Sequence, residues 1–296
     1  MEAERHLPKT AILGASGFIG EYIWKDYLRF QPDCLGTASK GSKPGLETFD
    51  LRSDPAALNL AGRGYEEVII AGARSLVGDC QNNPEETYEV NVTGTLRFIE
   101  HCRASNIRII FLSSDYVFPG TTGGYTEDST PGPTTEYGRQ KWAVEQQLAE
   151  WGGDTLVVRL SKIYGLRKGD GTLLDELVDN LIHNRPVRVA NDQFFSPTWV
   201  GDVVGALKAI LSRKLRGTIH LCSPEPASRH MLAQALTKEL QTDPELVEGI
   251  GLHEYPGMAY RPLDTSMKAN RLKSETAYSF LTLQSAVEKI AEAWRS

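Results

Sequence analysis

A glycine-rich turn between an apolar strand and a helix is the feature that most constrains the fold of this chain. The apolar run Thr10–Leu13 is followed by GASGFIG at positions 14–20, and a helix is predicted from Phe18 to Phe30. Small residues in such a turn let the backbone approach a pyrophosphate, and the helix N-terminus supplies N–H donors. The spacing is G-x-x-G-x-x-G, whereas the usual dinucleotide fingerprint is G-x-G-x-x-G. We favour a phosphate-binding turn over a tight turn without a ligand, and its residues are Gly14, Ser16, Gly17, Phe18, Ile19 and Gly20.

Short apolar runs alternate with amphipathic stretches through the first half of the chain. A helix is predicted at about 84–105, and further strands are predicted at Leu35–Ala38, Thr48–Leu51, Val68–Ala71, Arg108–Leu112 and Leu156–Leu160. Strands of this length separated by helices indicate βαβ units and a parallel sheet. Because crossovers between parallel strands are right-handed, the pattern predicts an α/β fold with a Rossmann-type doubly wound sheet.

Beyond Tyr164 the pattern is less regular. Strand-like runs at Val187–Ala190 and Thr218–Cys222 look isolated, and the predicted helices are Leu173–His183, Val200–Ser212, Met231–Leu240 and Ser285–Trp294. We therefore expect a dinucleotide-binding Rossmann domain over residues 1–160, to which the segment 198–222 returns. Residues 161–296 are expected to form mainly a smaller α/β substrate-binding lobe.

Composition excludes some classes of function. A formal charge of −6 and a pI near 5.6 disfavour a general nucleic-acid binder, although a local basic pocket for a phosphorylated ligand stays open. The chain has no apolar run long enough to span a membrane and no apolar leader. Its four cysteines lack zinc spacing and form no C-x-x-C pair, so no metal site is predicted. We expect a cytoplasmic protein.

The second predicted strand ends in Thr37-Ala38-Ser39-Lys40, without the carboxylate that would bind the ribose of NAD. Ser39 and Lys40 are instead suited to a 2′-phosphate, which favours NADP(H), with NAD as the alternative. A solvated loop charge is the competing interpretation of Lys40. Asp50 and Leu51 lie where the third predicted strand ends, and Asp50 is either an acceptor for the adenine amine or a surface carboxylate.

Tyr137 and Lys141 are the candidate catalytic pair. They lie four residues apart at the start of a predicted helix, so both side chains are expected on one helix face. An ammonium near a phenol stabilises the phenolate, which suits a tyrosine for proton exchange with a carbonyl oxygen near neutral pH. Ser113 and Ser114 follow the carboxyl end of the predicted strand Arg108–Leu112, where ligands of open α/β sheets bind. A tyrosine and a lysine four residues apart, taken alone, are also typical of a solvated helix face.

Taken in order, these segments resemble the extended short-chain dehydrogenase/reductases, and within them the dTDP-4-dehydrorhamnose reductase, or RmlD-like, group. The resemblance rests on the glycine turn, on SSDYVFPG at 113–120, which is close to the group's S-T-D-Y-V-F-x-G, and on YGRQK at 137–141. Further matches are Ala71-Gly72-Ala73, Asn91, the segment 125–131, the segment 159–165 and Arg261-Pro262.

The resemblance implies roles for particular residues. Ser114 would hold the substrate oxygen, Tyr137 would deliver a proton to it, and Lys141 would bond the nicotinamide ribose. Ala71, Gly72 and Ala73 would lie against the cofactor. The segment after Ser114 would line the substrate pocket through Asp115, Val117 and Phe118, although the last two suit a core equally well.

The chain departs from the group in the loop after the fourth strand. The sequence at 74–81 is RSLVGDCQ, whereas the group usually carries a Y-T-A-V-D-K-A-E-like stretch. Arg74 is either a substrate contact or a loop cation, and Arg261 is a candidate contact for a diphosphate. Asp115 is followed by Tyr116 rather than glutamate, which disfavours a 4,6-dehydratase.

The resemblance implies an NADPH-dependent reductase of a nucleotide-linked 4-keto-6-deoxy sugar. Two alternatives stay open: an epimerase or dehydrogenase on the same scaffold, and a non-catalytic regulatory subunit resembling that of methionine adenosyltransferase. The amphipathic stretch 84–103 is either a homodimer face or a helix packed on its own sheet.

Overall fold

The computed structural model describes residues 8–41, 43–254 and 261–295. In these ranges the strands are β1 (Thr10–Leu13), β2 (Leu35–Ala38), β3 (Leu46–Thr48), β4 (Glu67–Ile70), β5 (Arg108–Ser114), β6 (Thr155–Leu160), β7 (Ile163–Tyr164), β8 (Val187–Ala190), β9 (Phe194–Phe195), β10 (Thr198–Trp199), β11 (Gly217–Leu221), β12 (Ala227–Ser228) and β13 (Val247–Ile250). The α-helices are α1 (Phe18–Tyr27), α2 (Val77–Asn82), α3 (Pro84–Tyr88), α4 (Thr95–Ala104), α5 (Glu136–Trp151), α6 (Leu173–Ile182), α7 (Val200–Ser212), α8 (Arg229–Leu240), α9 (Asn270–Thr276) and α10 (Leu283–Arg295).

Seven strands form the main sheet, in the order β3-β2-β1-β4-β5-β6-β11. Strand β1 pairs in parallel with both neighbours, so that Ala11 lies opposite Leu35 on β2 and Val68 on β4. The strand order reverses direction between β1 and β4, and ligands of such sheets bind beyond the carboxyl ends of the strands at this point. The sheet confirms the predicted Rossmann-type fold.

The central strands are apolar because both faces of the sheet are covered. Val68, Ile69 and Ile70 of β4 have no exposed surface, and Phe98 and Ile99 of α4 belong with Val68 and Ile70 to the same buried region. Each such side chain contributes about 1.5–3 kcal/mol through removal from water. This rigid centre fixes the strand ends that carry the site residues.

Two of the differences from the sequence-based expectation lie near the candidate site. Strand β3 begins and ends earlier than predicted, because Asp50 turns the chain by accepting a hydrogen bond from the Arg52 N–H at 2.9 Å. The predicted helix at 84–105 is divided into α3, a π-helical turn at Glu89–Gly94, and α4. Gly94 in that turn passes so close to Leu51 that a Cβ atom would lie 2.5 Å from the Leu51 carbonyl oxygen.

The chain divides into two compact units. The first comprises residues 1–113, 140–158 and 216–218, and the second comprises 114–139, 159–215 and 219–296. In the second unit three short strand pairs, β7–β10, β9–β12 and β8–β13, accompany helices α6 to α10. Its core contains Leu174, Leu232 and Val287 from three of these helices. None of the helices in the described ranges combines the length and the apolarity needed to cross a membrane.

Candidate active site

The glycine turn lies between β1 and α1 in the first unit. Gly14 has φ +79°, and a Cβ atom there would lie 2.4 Å from the Gly72 Cα beyond β4. A Cβ atom on Gly20 would lie 2.2 Å from the Gly14 carbonyl oxygen. Both glycines are therefore needed by the fold itself, because the turn passes close to Gly72 and because α1 packs directly on the turn.

Gly17 differs from these two glycines. It is exposed, its φ is −80°, and a Cβ atom there would meet its nearest protein neighbour, the Gly14 carbonyl oxygen, at an ordinary 3.4 Å. As the N-cap residue of α1 it provides no side-chain cap for the first-turn N–H groups. Internal packing does not require glycine at this position, and open access to these N–H donors fits a phosphate.

The adenosine end of the predicted cofactor site contains more cations than the sequence suggested. Ser39 and Lys40 are exposed after β2, and Lys43 donates from Nζ to the Ser16 carbonyl oxygen of the glycine turn at 3.1 Å. Asp50 forms a two-point pair with Arg52, with Nε–Oδ1 and Nη2–Oδ2 distances of 3.0 and 2.7 Å. This pairing lowers the pKa of the Asp50 carboxyl.

Arg74 is held at its backbone and at its side chain. The buried Asn91 amide accepts from the Arg74 N–H at 2.8 Å and donates to the Arg74 carbonyl oxygen at 2.9 Å. The guanidinium pairs with Asp79 and with Glu86, each at 2.7 Å, and these hydrogen bonds raise its pKa. Two carboxylates outweigh one guanidinium, so this group of side chains is net negative. A substrate contact by Arg74 stays a prediction.

Lys141 lies at the carboxyl end of β5 in the first unit. Its side chain is buried, and Nζ donates to the Leu112 carbonyl oxygen at 2.8 Å and lies 4.6 Å from the centre of the Phe111 ring. Burial lowers the pKa of Lys141 to about 8, and the Glu145 carboxylate opposes that shift. Glu145 also accepts a hydrogen bond from the Ser113 hydroxyl. Leu112, which accepts the hydrogen bond from Lys141, lies two residues before Ser114 in the sequence.

Tyr137 lies in the first turn of α5, which packs on the segment after β5 in the second unit. The Thr135 hydroxyl accepts from the Gly138 N–H at 3.0 Å and caps the helix. Gly138 allows close packing, since a Cβ atom there would lie 2.1 Å from the Tyr116 carbonyl oxygen. The Tyr116 and Tyr137 rings meet edge to face with centroids 6.1 Å apart. The fold thus places the Tyr137 ring beside the chain segment that begins at Ser114.

The segment after β5 has a buried polar centre. Asp115 is buried and accepts hydrogen bonds from the hydroxyl groups of Ser114, Ser161 and Thr265 at 3.0, 2.9 and 2.8 Å. Val117 and Phe118 are fully buried, and Phe118 stacks on Tyr125 with centroids 4.4 Å apart. Substrate contacts by these three predicted residues remain predictions.

Arg261 lies beside Tyr116 in the second unit. The pKa of Tyr116 is raised by burial, and the Arg261 and Arg229 cations partly offset that rise. The same two cations act on Lys162, whose pKa is also lowered by lost hydration. Arg229 and Lys162 thus add positive charge to that of Arg261, the only cation predicted here from the sequence. This charge suits an anionic substrate group.

Several residues of the site were not predicted from the sequence. Gln140 accepts from the Asn91 amide at 2.8 Å and so supports the Arg74 loop, while Lys43 approaches the glycine turn. Thr135 was open to prediction as a cap, because it directly precedes the helix. Among the described residues, no group of three or more His, Cys, Asp or Glu side chains could hold a metal ion.

Comparisons with known proteins agree with this architecture. A dTDP-4-dehydrorhamnose reductase from Mycolicibacterium smegmatis is 32% identical over 267 residues, covering 89% of this chain and 79% of that protein. Methionine adenosyltransferase 2 subunit beta from Rattus norvegicus is 26% identical over 246 residues, covering 80% and 74% respectively. The crystal structure of dTDP-4-dehydrorhamnose reductase from Bacillus anthracis in complex with NADP has a TM-score of 0.83 at 22% identity, covering 97% of this chain and 99% of that one.

Fold and sequence motifs together define a Rossmann-type protein with a Tyr-x-x-x-Lys helix after the fifth strand of the sheet. Residues 9–296 match the family described as RmlD substrate binding domain. The chain belongs to this family, and the RmlD-like resemblance seen in the sequence is confirmed.

Proposed function

We propose that this protein is an NADPH-dependent reductase of a nucleotide-linked 4-keto-6-deoxy sugar, similar to the dTDP-4-dehydrorhamnose reductases. The observation that carries the proposal is the packing of α5 against the end of β5. Lys141 bonds the carbonyl oxygen of Leu112, and Gly138 brings the first turn of α5 against Tyr116. In the sequence, Leu112 and Tyr116 lie on either side of Ser114, the residue expected to address the substrate oxygen.

The residues of the first unit suit the cofactor. The open first turn of α1 would bind the pyrophosphate, and the cations after β2 would bind a 2′-phosphate, which favours NADPH over NADH. Lys141, held at the end of β5, would bond the nicotinamide ribose. When bound, the reduced nicotinamide supplies a hydride to the ketone carbon and becomes NADP⁺. A reductase that uses the cytosolic NADPH pool would act in the cytoplasm, which is the location we propose.

Tyr137 supplies the proton in this mechanism. As the carbonyl carbon gains hydride, negative charge develops on the oxygen, and the Tyr137 hydroxyl protonates it. The buried Lys141 cation favours the phenolate that remains, and a proton from solvent then restores the phenol. The overall reaction converts ketone, NADPH and one proton into alcohol and NADP⁺.

The test is NADPH oxidation with a panel of nucleotide-linked 4-ketosugars. Wild-type protein should oxidise NADPH with at least one of them, and Tyr137→Phe should lower the rate by about 100-fold or more, because general acid catalysis contributes that much. Binding of NADPH by the variant serves as the control for folding. Wild-type turnover in Tyr137→Phe would contradict the mechanism.

A second candidate is a regulatory subunit without turnover, favoured by the 26% identity to methionine adenosyltransferase 2 subunit beta. It predicts stable co-purification with a larger partner and no NADPH oxidation with any ketosugar. The intact Ser114, Tyr137 and Lys141 favour the reductase. Pairing of two copies through residues 84–103 stays a prediction, which sedimentation measurements would test.

A further inference from the structure

The Asp115 carboxyl group is bonded by hydroxyl groups from three separate chain segments of the second unit. Ser114 donates to Oδ1 at 3.0 Å, whereas Ser161 and Thr265 donate to Oδ2 at 2.9 and 2.8 Å. The side chain is only 3% exposed. Asp115 is therefore oriented toward Ser114 and inward, which suits a role exerted through that hydroxyl.

A serine hydroxyl has one hydrogen to donate and two lone pairs to accept with. The Ser114 hydrogen is donated to Asp115, and one lone pair accepts from the Tyr116 N–H at 3.2 Å. In this arrangement Ser114 has only a lone pair to offer to a substrate. A ketone oxygen also only accepts, so Ser114 is set to receive a hydrogen bond from an alcohol and cannot donate one to a ketone.

Protonation of Asp115 would reverse this direction. Oδ2 already accepts from two hydroxyl groups, which occupy its lone pairs, so the acid hydrogen is expected on Oδ1, facing Ser114. The acid would then donate to the Ser114 oxygen and release the Ser114 hydrogen for the substrate. Only hydrogen bonds are exchanged, and the proton comes from solvent without being consumed.

We propose that Asp115 is a positioning residue that sets the direction of the Ser114 hydrogen bond, so that Ser114 donates to the reacting oxygen, and the reaction is faster, when Asp115 is protonated. This inference rests on the proposed reductase function. Because ketone reduction and alcohol oxidation share one transition state, both directions should depend in the same way on this buried carboxyl group.

The groups around Asp115 allow this switch near neutral pH. Burial raises the pKa of Asp115 to about 6, against the effect of its hydroxyl donors and of Lys162. The titratable groups that face it are Tyr116, Lys162 and Cys222. Burial raises the pKa of both the Tyr116 phenol and the Cys222 thiol, so these stay neutral. Lost hydration lowers the pKa of Lys162 to about 8, so it stays charged near pH 6.

Asp115→Asn is the informative variant, because its amide group can donate permanently to Ser114 while its oxygen accepts from Ser161 and Thr265. Wild-type kcat/KM for ketone reduction should fall about tenfold as pH rises through about 6, the worth of one hydrogen bond. The Asp115→Asn variant should keep the low-pH value of kcat/KM for ketone reduction over the whole pH range. At each pH, the variant should differ from the wild type in alcohol oxidation by the same factor as in ketone reduction.

Asp202→Asn is the matched control. Asp202 is a buried carboxyl in the same unit that accepts from the Tyr278 hydroxyl at 3.0 Å and the Leu281 N–H at 2.9 Å. Its pKa is also raised by burial. This variant should retain the wild-type inflection. In a Ser114→Ala background, adding Asp115→Asn should leave the pH profile unchanged, because the hydroxyl that the carboxyl or amide group would orient is gone.

An unchanged inflection in Asp115→Asn would overturn the proposal. If that variant does not fold, Thr265→Val provides the test: removing one hydroxyl donor should raise the pKa of Asp115 and move the inflection to higher pH, and an unmoved inflection would contradict us. Wild-type protein that reduces no ketosugar at any pH would instead refute the proposed function. The two failures are therefore distinguishable.

Discussion

Replacing Gly138 by alanine tests whether the close packing of α5 positions Tyr137. The new Cβ atom would lie 2.1 Å from the Tyr116 carbonyl oxygen and 2.9 Å from its carbon. Both are backbone atoms and cannot rotate away. Because non-bonded atoms settle at roughly 3.5 Å, either the first turn of α5 or the turn at Asp115–Val117 must move by about 1 Å. Tyr137 would move with it.

The expected loss is larger in activity than in stability. A displacement of about 1 Å at a reacting group costs about 100-fold in rate, equivalent to roughly 3 kcal/mol of barrier. Overpacking costs about 1–3 kcal/mol of folding free energy, and replacing a helical glycine by alanine returns about 1 kcal/mol. Gly138→Ala should therefore fold with a net loss of no more than about 2 kcal/mol and turn over about 100-fold more slowly.

The assay combines initial rates of NADPH oxidation with urea unfolding of the same samples. Gly78→Ala in α2 is the control for helix propensity, because a Cβ atom there meets no atom within 4 Å. It should raise the free energy of unfolding by about 1 kcal/mol. Wild-type turnover in Gly138→Ala would refute the argument that this contact positions Tyr137.

Three further predictions follow from the described contacts. Lys43→Met should weaken NADPH binding about tenfold and leave NADH binding unchanged, as measured by calorimetry, with Lys40→Met compared in parallel; equal loss for both cofactors would contradict a 2′-phosphate contact. Asn91→Ala should cost about 1–3 kcal/mol in urea unfolding, because the Arg74 backbone loses both of its hydrogen bonds to the Asn91 amide; an unchanged unfolding midpoint would contradict a stabilising role for these two bonds. The pKa of Asp115 rises from 3.8 to about 6 on folding. Its contribution to the free energy of unfolding is therefore present below about pH 4 and lost as pH rises through about 6. Wild-type stability measured relative to Asp115→Asn should therefore fall by about 3 kcal/mol between about pH 4 and pH 7, whereas a constant difference would contradict the shift.

The sequence was sufficient for the sheet because its strands are short apolar runs with both faces buried. Thr10–Leu13, Leu35–Ala38 and Val187–Ala190 form strands with the predicted bounds. The glycine turn could also be predicted from the sequence, since Gly14 and Gly20 are required by backbone contacts within the turn and with Gly72 after β4. The α/β class and the helix that carries Tyr137 and Lys141 therefore followed from local patterns.

Long-range polar contacts could not be predicted from the sequence in this way. Nothing near Asp115 in the sequence indicates that Thr265 donates to it across 150 positions. The π-helical turn that places Asn91 beneath Arg74 was missed, because its hydrophobic pattern is close to that of a continuous helix. Such contacts depend on how distant segments fold together, so periodicity and local motifs do not reveal them.

The most direct test of the proposed reductase function is to follow the transferred hydride. NADPH carrying deuterium at the transferable position of the nicotinamide should be incubated with the nucleotide-linked ketosugar that supports turnover. The reductase mechanism predicts one deuterium on the carbinol carbon of the product for each NADP⁺ formed, detected by mass spectrometry. A product without deuterium, or a sugar changed with no net oxidation of the cofactor, would contradict it and point to an epimerase.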